Sequence, residues 1–176
     1  MPWSPGQLES HLRNFPEGQL MVVDDDGALV GVASSLVILS AEGEDPGDWL
    51  PVTGNGYFHT HNRRGNTLYV AGVSIAPDAD RSAVWQALDA SKMELMNQLG
   101  LHRLLMNCRL PGYEQVAGEL TPGEYLAGCQ DGQLVEPGLA FHLAKGFRPL
   151  LLLPGPDNQS RPKERLVTLL EWSRVA

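Results

Sequence analysis

The chain has 176 residues, 43% of them hydrophobic, with a formal net charge of −8 and two cysteines. That length buries a full core and fits one domain. The hydrophobic fraction excludes wholesale disorder, and the negative charge excludes the cationic footprint that nucleic-acid binding needs. Cys108 and Cys129 build neither a disulfide framework nor a four-ligand zinc site, and no apolar run approaches membrane-spanning length. The expectations are therefore no nucleic acid, no membrane and no metal, in a reducing, cytoplasmic compartment. The opening Met1-Pro2-Trp3-Ser4-Pro5 carries no signal-peptide pattern. The acidity is mildly compatible with a cationic partner such as an amine, although it serves solubility first.

In chain order, residues 7–14 are a short helical candidate closed by Phe15-Pro16. Residues 20–24 and 28–39 read as two strands, with Asp25-Asp26-Gly27 as the hairpin turn, because glycine takes the positive φ that such turns need. Residues 42–51 are polar and turn-rich, hence a loop. Gly54-Asn55-Gly56 is a second turn, and residues 57–61 alternate like a strand. Residues 67–75 are β-branched and aromatic, a central strand stopped by Pro77. The longest helix follows over 82–99, with Val84, Leu88, Ser91, Leu95 and Leu99 on one face and Gly100 as its stop.

Residues 103–110 are another strand, and 111–132 are irregular with a short helix near 123–129. Residues 137–145 form a helix with Pro137 in its first turn, Gly146 at its end, and Leu139, Leu143 and Phe147 as a buried stripe. Residues 150–153 and 166–172 are closing strands around a polar loop, 154–164. Hairpins first and a strand–helix–strand unit after them predict an α/β (α+β) domain, a mixed sheet with helices on its faces.

Three weaker signals point to ordinary structure. His59 and His61, two apart, share one face of a strand, with no third metal ligand nearby. Asp24, Asp25 and Asp26 lack the continuation of a calcium loop and suit a solvated turn. Cys108, on a predicted strand, is read as buried rather than nucleophilic.

The informative segment runs from Val73-Ser74-Ile75-Ala76-Pro77 through Asp78-Ala79-Asp80-Arg81 to Ser82-Ala83-Val84-Trp85. It is a strand, a Pro stop, a short loop and a helix start, and a helix start offers unpaired N–H groups and positive charge to a pyrophosphate. It resembles the coenzyme A motif of the GNAT superfamily of N-acyltransferases, a strand ending in V-x-V-x-P followed by R/Q-x-x-G-x-G/A, without a gap. The departures are Asp80 at the Arg/Gln position and Ala83 and Trp85 at the glycine positions, with Arg81 next door as a compensating charge. A plain strand–loop–helix without ligand gives the same elements.

Leu139-Ala140-Phe141-His142-Leu143-Ala144-Lys145-Gly146-Phe147 is similar to the family's F-Y-x-x-x-G-F helix. There the Tyr protonates the departing thiolate, and His142 stands in its place. Imidazole is chemically able to do this, while a histidine packed beside a ligand site fits the same pattern. Thr53-Gly54-Asn55-Gly56-Tyr57, His59-Thr60-His61-Asn62, Gly65-Asn66-Thr67-Leu68-Tyr69 and Arg109-Leu110-Pro111-Gly112-Tyr113 resemble the GNAT module often joined to carbon–nitrogen hydrolases. No Glu-Lys-Cys arrangement of such a hydrolase surrounds Cys108 or Cys129.

The resemblance, spanning 19–172, implies a GNAT fold with a mixed, mostly antiparallel central sheet flanked by helices. Residues 1–18 then form a short helical segment in place of the family's first strand and helices, which wall the acceptor. It further implies direct transfer from acetyl-CoA or another acyl-CoA to a small-molecule or peptide amine. Val73, Ser74, Ile75, Arg81, Ser82, Ala83, Val84 and Asn107 are then the cofactor-binding candidates and His142 the catalytic one. The alternative is a catalytically inactive GNAT-fold binding or assembly module, in which Trp85 plugs the pyrophosphate groove. A homodimer is compatible with either, by exchange of the closing strand pair.

Overall fold

A computed structural model describes residues 3–154 and 166–174. Most of the predicted 154–164 loop therefore lies outside the described residues. The chain gathers into two compact units, Pro2–Leu104 and, chiefly, Leu105–Ala176.

The first unit opens with helix α1 (Pro5–Asn14), started by a capping box in which Ser4 and Gln7 bond each other's backbone, with Pro5 in the first turn. After a 3-10 turn at Pro16–Gly18 come strands β1 (Gln19–Val23) and β2 (Leu29–Ile38), an antiparallel hairpin. Gly27 has φ 80°, and Asp24 Oδ1 accepts from the Asp26 and Ala28 N–H groups, so the turn is built as its sequence indicated.

Two expectations fail in the next segment. The end of the expected 42–51 loop, residues 49–51, is instead part of a single helical turn, α2 (Trp49–Val52). Residues 57–61 are not a strand but a continuation of the turn. Gly54, Asn55, Gly56 and Phe58 have φ of 58°, 56°, 79° and 59°, a left-handed run that no strand tolerates. Polar groups along one side of α1 hold this turn. Gln7 Nε2 donates to Asn55 O (3.2 Å), Ser10 Oγ to Tyr57 O (2.6 Å) and His11 Nε2 to Gly56 O (2.7 Å).

Strand β3 (Thr67–Ile75) has the predicted bounds and pairs antiparallel with β2. Helix α3 (Arg81–Leu99) ends at Gly100, φ 65°. Its buried row is Val84, Leu88, Lys92 and Met96 with Asp89 and Leu95, while Ser91 and Leu99 of the predicted face are exposed. The helix lays a ridge of every fourth residue on the sheet, and that ridge drifts away from the face read from the sequence. Lys92 and Asp89 pair with each other on the buried side. A Cβ on Gly31 would collide with Val84 Cγ1, so glycine sets how closely α3 meets β2.

In the second unit, strand β4 (Arg103–Arg109), whose first two residues belong to the first unit, leads to a 3-10 turn at Pro111–Gln115. Helix α4 (Pro122–Gln130) starts with a Thr121/Glu124 capping box. Helix α5 (Pro137–Leu143) stops short of the predicted Lys145, and strands β5 (Arg148–Pro154) and β6 (Leu166–Ser173) pair antiparallel. The six strands follow the order β1-β2-β3-β4-β6-β5 in one mostly antiparallel sheet with helices on its faces, the expected fold class.

Candidate functional site

The loop from β3 to α3 is held by its own backbone. Ala76 N donates to Val30 O (2.9 Å), one residue past the strand, and Ala79 N to Ala76 O (3.2 Å). Val73, Ser74 and Ile75 lie at the end of β3, opposite Ala33, Val32 and Gly31 of β2. Val73 and Ile75 pack toward Ala33, Val84 and Leu88, while Ser74 is exposed.

The start of α3 is already capped. Asp80 Oδ1 accepts from Ser82 N (2.9 Å) and Ala83 N (3.1 Å), and Asp80 O accepts from Val84 N (3.0 Å). The three amides that would face a pyrophosphate are thus engaged by Asp80, which fills the very role an anion would take. From the sequence, Asp80 read as a repelling charge; its capping is the larger fact, and an acid directly before a helix is its signal. The side chains of Arg81, Ser82 and Ala83 remain exposed at this end, whereas that of Val84 is core, 4% exposed. The Trp85 indole is half-buried, with the Lys92 ammonium 5.6 Å from its centroid, so it packs along the flank of α3.

The sequence reading missed a feature of β3. The β2–β3 register shifts where Ser34 opposes Gly72 and Ser35 opposes Val70, leaving Ala71 as a bulge residue. Bulges re-aim backbone groups and recur beside active sites. An isolated glycine inside a strand pattern, Gly72, was the available signal.

In the second unit, Asn107 is half-buried on β4, and His142 sits in the last turn of α5, 1% exposed. The rings of Phe141 and Phe147 meet the imidazole edge to face, at 5.3 and 5.1 Å. Nearby lies a buried carboxylate. Glu136 Oε2 accepts from Gly112 N (2.9 Å) and Tyr125 Oη (3.1 Å). Burial, with Glu136 adding to it, pushes the Cys108 thiol up to about 12 and the Tyr125 hydroxyl well above its usual value. Burial raises Cys129 too, so neither thiol is a thiolate at neutral pH, in keeping with the reading of Cys108 as structural. A Cβ on Gly112 would collide with Tyr125 Oη, which accounts for the glycine of Arg109-Leu110-Pro111-Gly112-Tyr113.

His59 and His61 do not share a strand face. His59 is exposed, and His61 Nδ1 accepts from Val37 N (3.1 Å) while its ring stacks on Phe15 at 4.3 Å. Among the described residues no group of three or more His, Cys, Asp or Glu side chains could hold a metal ion, and no helix is long and apolar enough to cross a membrane.

No protein-family model matches the chain. Two proteins of Bacillus subtilis (strain 168) are similar along nearly all of it. "Probable hydrolase YhcX" is 33% identical over 99% of this chain, which spans only 34% of that protein's length. "Uncharacterized N-acetyltransferase YkwB" is 31% identical over 98% of this chain and 76% of its own length. Among solved structures, the GphF GNAT-like decarboxylase in complex with isobutyryl-CoA superposes with a TM-score of 0.75 at 18% identity, covering 98% of this chain and 86% of that one.

Proposed function

The chain belongs to the GNAT superfamily, and from that premise we propose that it is an acyltransferase that moves an acyl group, acetyl in the simplest case, from acyl-CoA to an amine. The observation that carries the reading is the unbroken run from the bulged strand β3 through a five-residue link to the start of α3. Ile75 lies four residue steps beyond Ala71, about 13 Å of strand. That reach suits a substrate whose pyrophosphate and thioester lie far apart.

In this reading, the backbone of Val73, Ser74 and Ile75 lies along the pantetheine arm. Arg81, with the Ser82 and Ala83 amides once Asp80 has turned aside, holds the pyrophosphate. Asn107 contacts the arm from β4. Val84 contributes packing only. The neutral amine nitrogen attacks the thioester carbonyl carbon, the C–S bond breaks, and the thiolate leaves with a proton from His142. The proton shed by the amine goes to water. Most of the rate comes from holding the two reactants together, with acid–base help second.

The test is release of free CoA thiol from acetyl-CoA in the presence of an amine panel, for the wild type and His142→Phe. The reading expects amine-dependent release that falls at least tenfold in the variant. Equal turnover would remove His142 from the chemistry and leave transfer by positioning alone.

A second reading, a non-catalytic module of the same fold, is favoured by one observation: Asp80 already satisfies the Ser82 and Ala83 N–H groups. That reading expects no thiol release with any amine and no binding of CoA.

A further inference from the structure

The bulge on β3 supports more than a strand irregularity. Trp49 Nε1 donates to Ala71 O (2.9 Å), fixing its indole to the bulge residue. Trp3 stacks on Trp49 at 5.6 Å with 16° between the planes. A Cβ on Gly72 would sit 3.1 Å from Trp3, and one on Gly56 would sit 3.0 Å from Trp3 and 3.4 Å from Trp49. Two glycines therefore make room for the indole pair. Behind Trp3, Phe58 and His11 close edge to face at 5.6 and 4.8 Å. His11 and Gln7 in turn bond the turn that carries Gly56. The pair is preorganised from three sides.

Its placement is unlike that of core tryptophans. Trp3 and Trp49 both keep part of their surface in solvent, while Phe58 behind them is fully buried. Leu50, next to Trp49, is 55% exposed, and Tyr57, next to Gly56, is 44% exposed. Rigid indoles that stay half-exposed are well suited to stacking a flat apolar group. Asp45 and Asp48, exposed on the segment entering α2, supply a field that draws in an ammonium. The pair stands on Ala71 and Gly72, directly before Val73.

We propose that Trp3 and Trp49 form the acceptor subsite, and that the acceptor is an amine carried on an aromatic ring. This rests on the acyltransferase reading above. Phenylethylamine, with butylamine as the ringless control, is titrated into protein saturated with CoA, following the side-chain N–H signals of the four tryptophans by NMR; the count of four is fixed by the sequence. Phenylethylamine should move the Trp3 and Trp49 signals saturably, at least about tenfold more tightly than butylamine, and leave Trp85 and Trp172 in place. Trp3→Leu should abolish that preference while the backbone spectrum stays dispersed. Absent Trp3 and Trp49 shifts, or equal affinity for the two amines, overturns the subsite. If CoA moves the Ser82 and Ala83 amides and phenylethylamine moves nothing, the subsite falls and the acyltransferase reading stands. If phenylethylamine moves the indoles and CoA moves nothing, the pair binds an arylamine but not as an acceptor, and the acceptor role falls together with the acyltransferase reading.

Discussion

Removing the Asp80 carboxylate should tighten CoA binding while loosening the fold. The carboxylate caps α3 through Ser82 N and Ala83 N, and a bound pyrophosphate competes for both donors. Losing the cap costs about 1 kcal/mol. A like charge about 4 Å from a phosphate oxygen at this exposed position adds about 1 kcal/mol of repulsion in water. Asp80→Ala removes both obstacles, so CoA should bind about thirtyfold more tightly while stability falls by about 1 kcal/mol. Asp80→Asn keeps a cap and drops only the charge, so the gain should be about fivefold, with stability lowered by a few tenths of a kcal/mol. Calorimetric titration with CoA and urea unfolding of the three proteins give both columns. The ranking Ala above Asn above wild type is the signature; two variants that bind CoA no better than wild type would refute the competition argument.

Other expectations follow from burial. Lys92→Met leaves Asp89 buried beside an apolar neighbour and should cost about 3–5 kcal/mol in urea unfolding, most of it recovered in the Asp89→Leu/Lys92→Met double variant. A double variant as unstable as the single would mean that the loss does not come from the stranded Asp89 carboxylate. Burial depresses the imidazoles of His11 and His61, the latter helped by Arg63 against an opposing Glu17. An unfolded imidazole titrates near about 6.5, so below that pH the unfolded chain binds protons that the folded chain does not. Stability should be full above about pH 7 and fall as the pH drops through 6.5 toward the lower folded values; an unchanged Tm from pH 7.5 to 5.5 contradicts this. Gly112→Ala should cost about 1–3 kcal/mol by thermal or urea unfolding, with part restored by adding Tyr125→Phe, because the colliding atom is the Tyr125 hydroxyl.

Regular periodicity and turn chemistry were legible in the chain. β3 was found to the residue because its branched and aromatic run ends at a proline two residues later. The β1–β2 hairpin followed from Asp-Asp-Gly. The stretch after Gly56 was not legible, since alternation alone looks like a strand and nothing local announces that buried Phe58 will take φ 59°. The burial of Asp89 and Lys92 was hidden for a similar reason: a charged pair within one helix reads as a solvated face until the helix is laid on its sheet. At the candidate site, the strand–loop–helix order and the departures at Asp80 and Trp85 were visible. That Asp80 caps the helix is a local matter whose signal, an acid directly before a helix, stood in the chain, whereas the meeting of Trp3 and Trp49 on a bulge depends on contacts between residues far apart in sequence.

Calorimetric titration of the purified chain with acetyl-CoA tests the central claim most directly. Saturable one-to-one binding in the micromolar range is predicted, with heat that vanishes when the pyrophosphate half is omitted from the ligand. No heat at millimolar acetyl-CoA, in protein shown to be folded, would contradict the acyltransferase account and leave the fold without its cofactor.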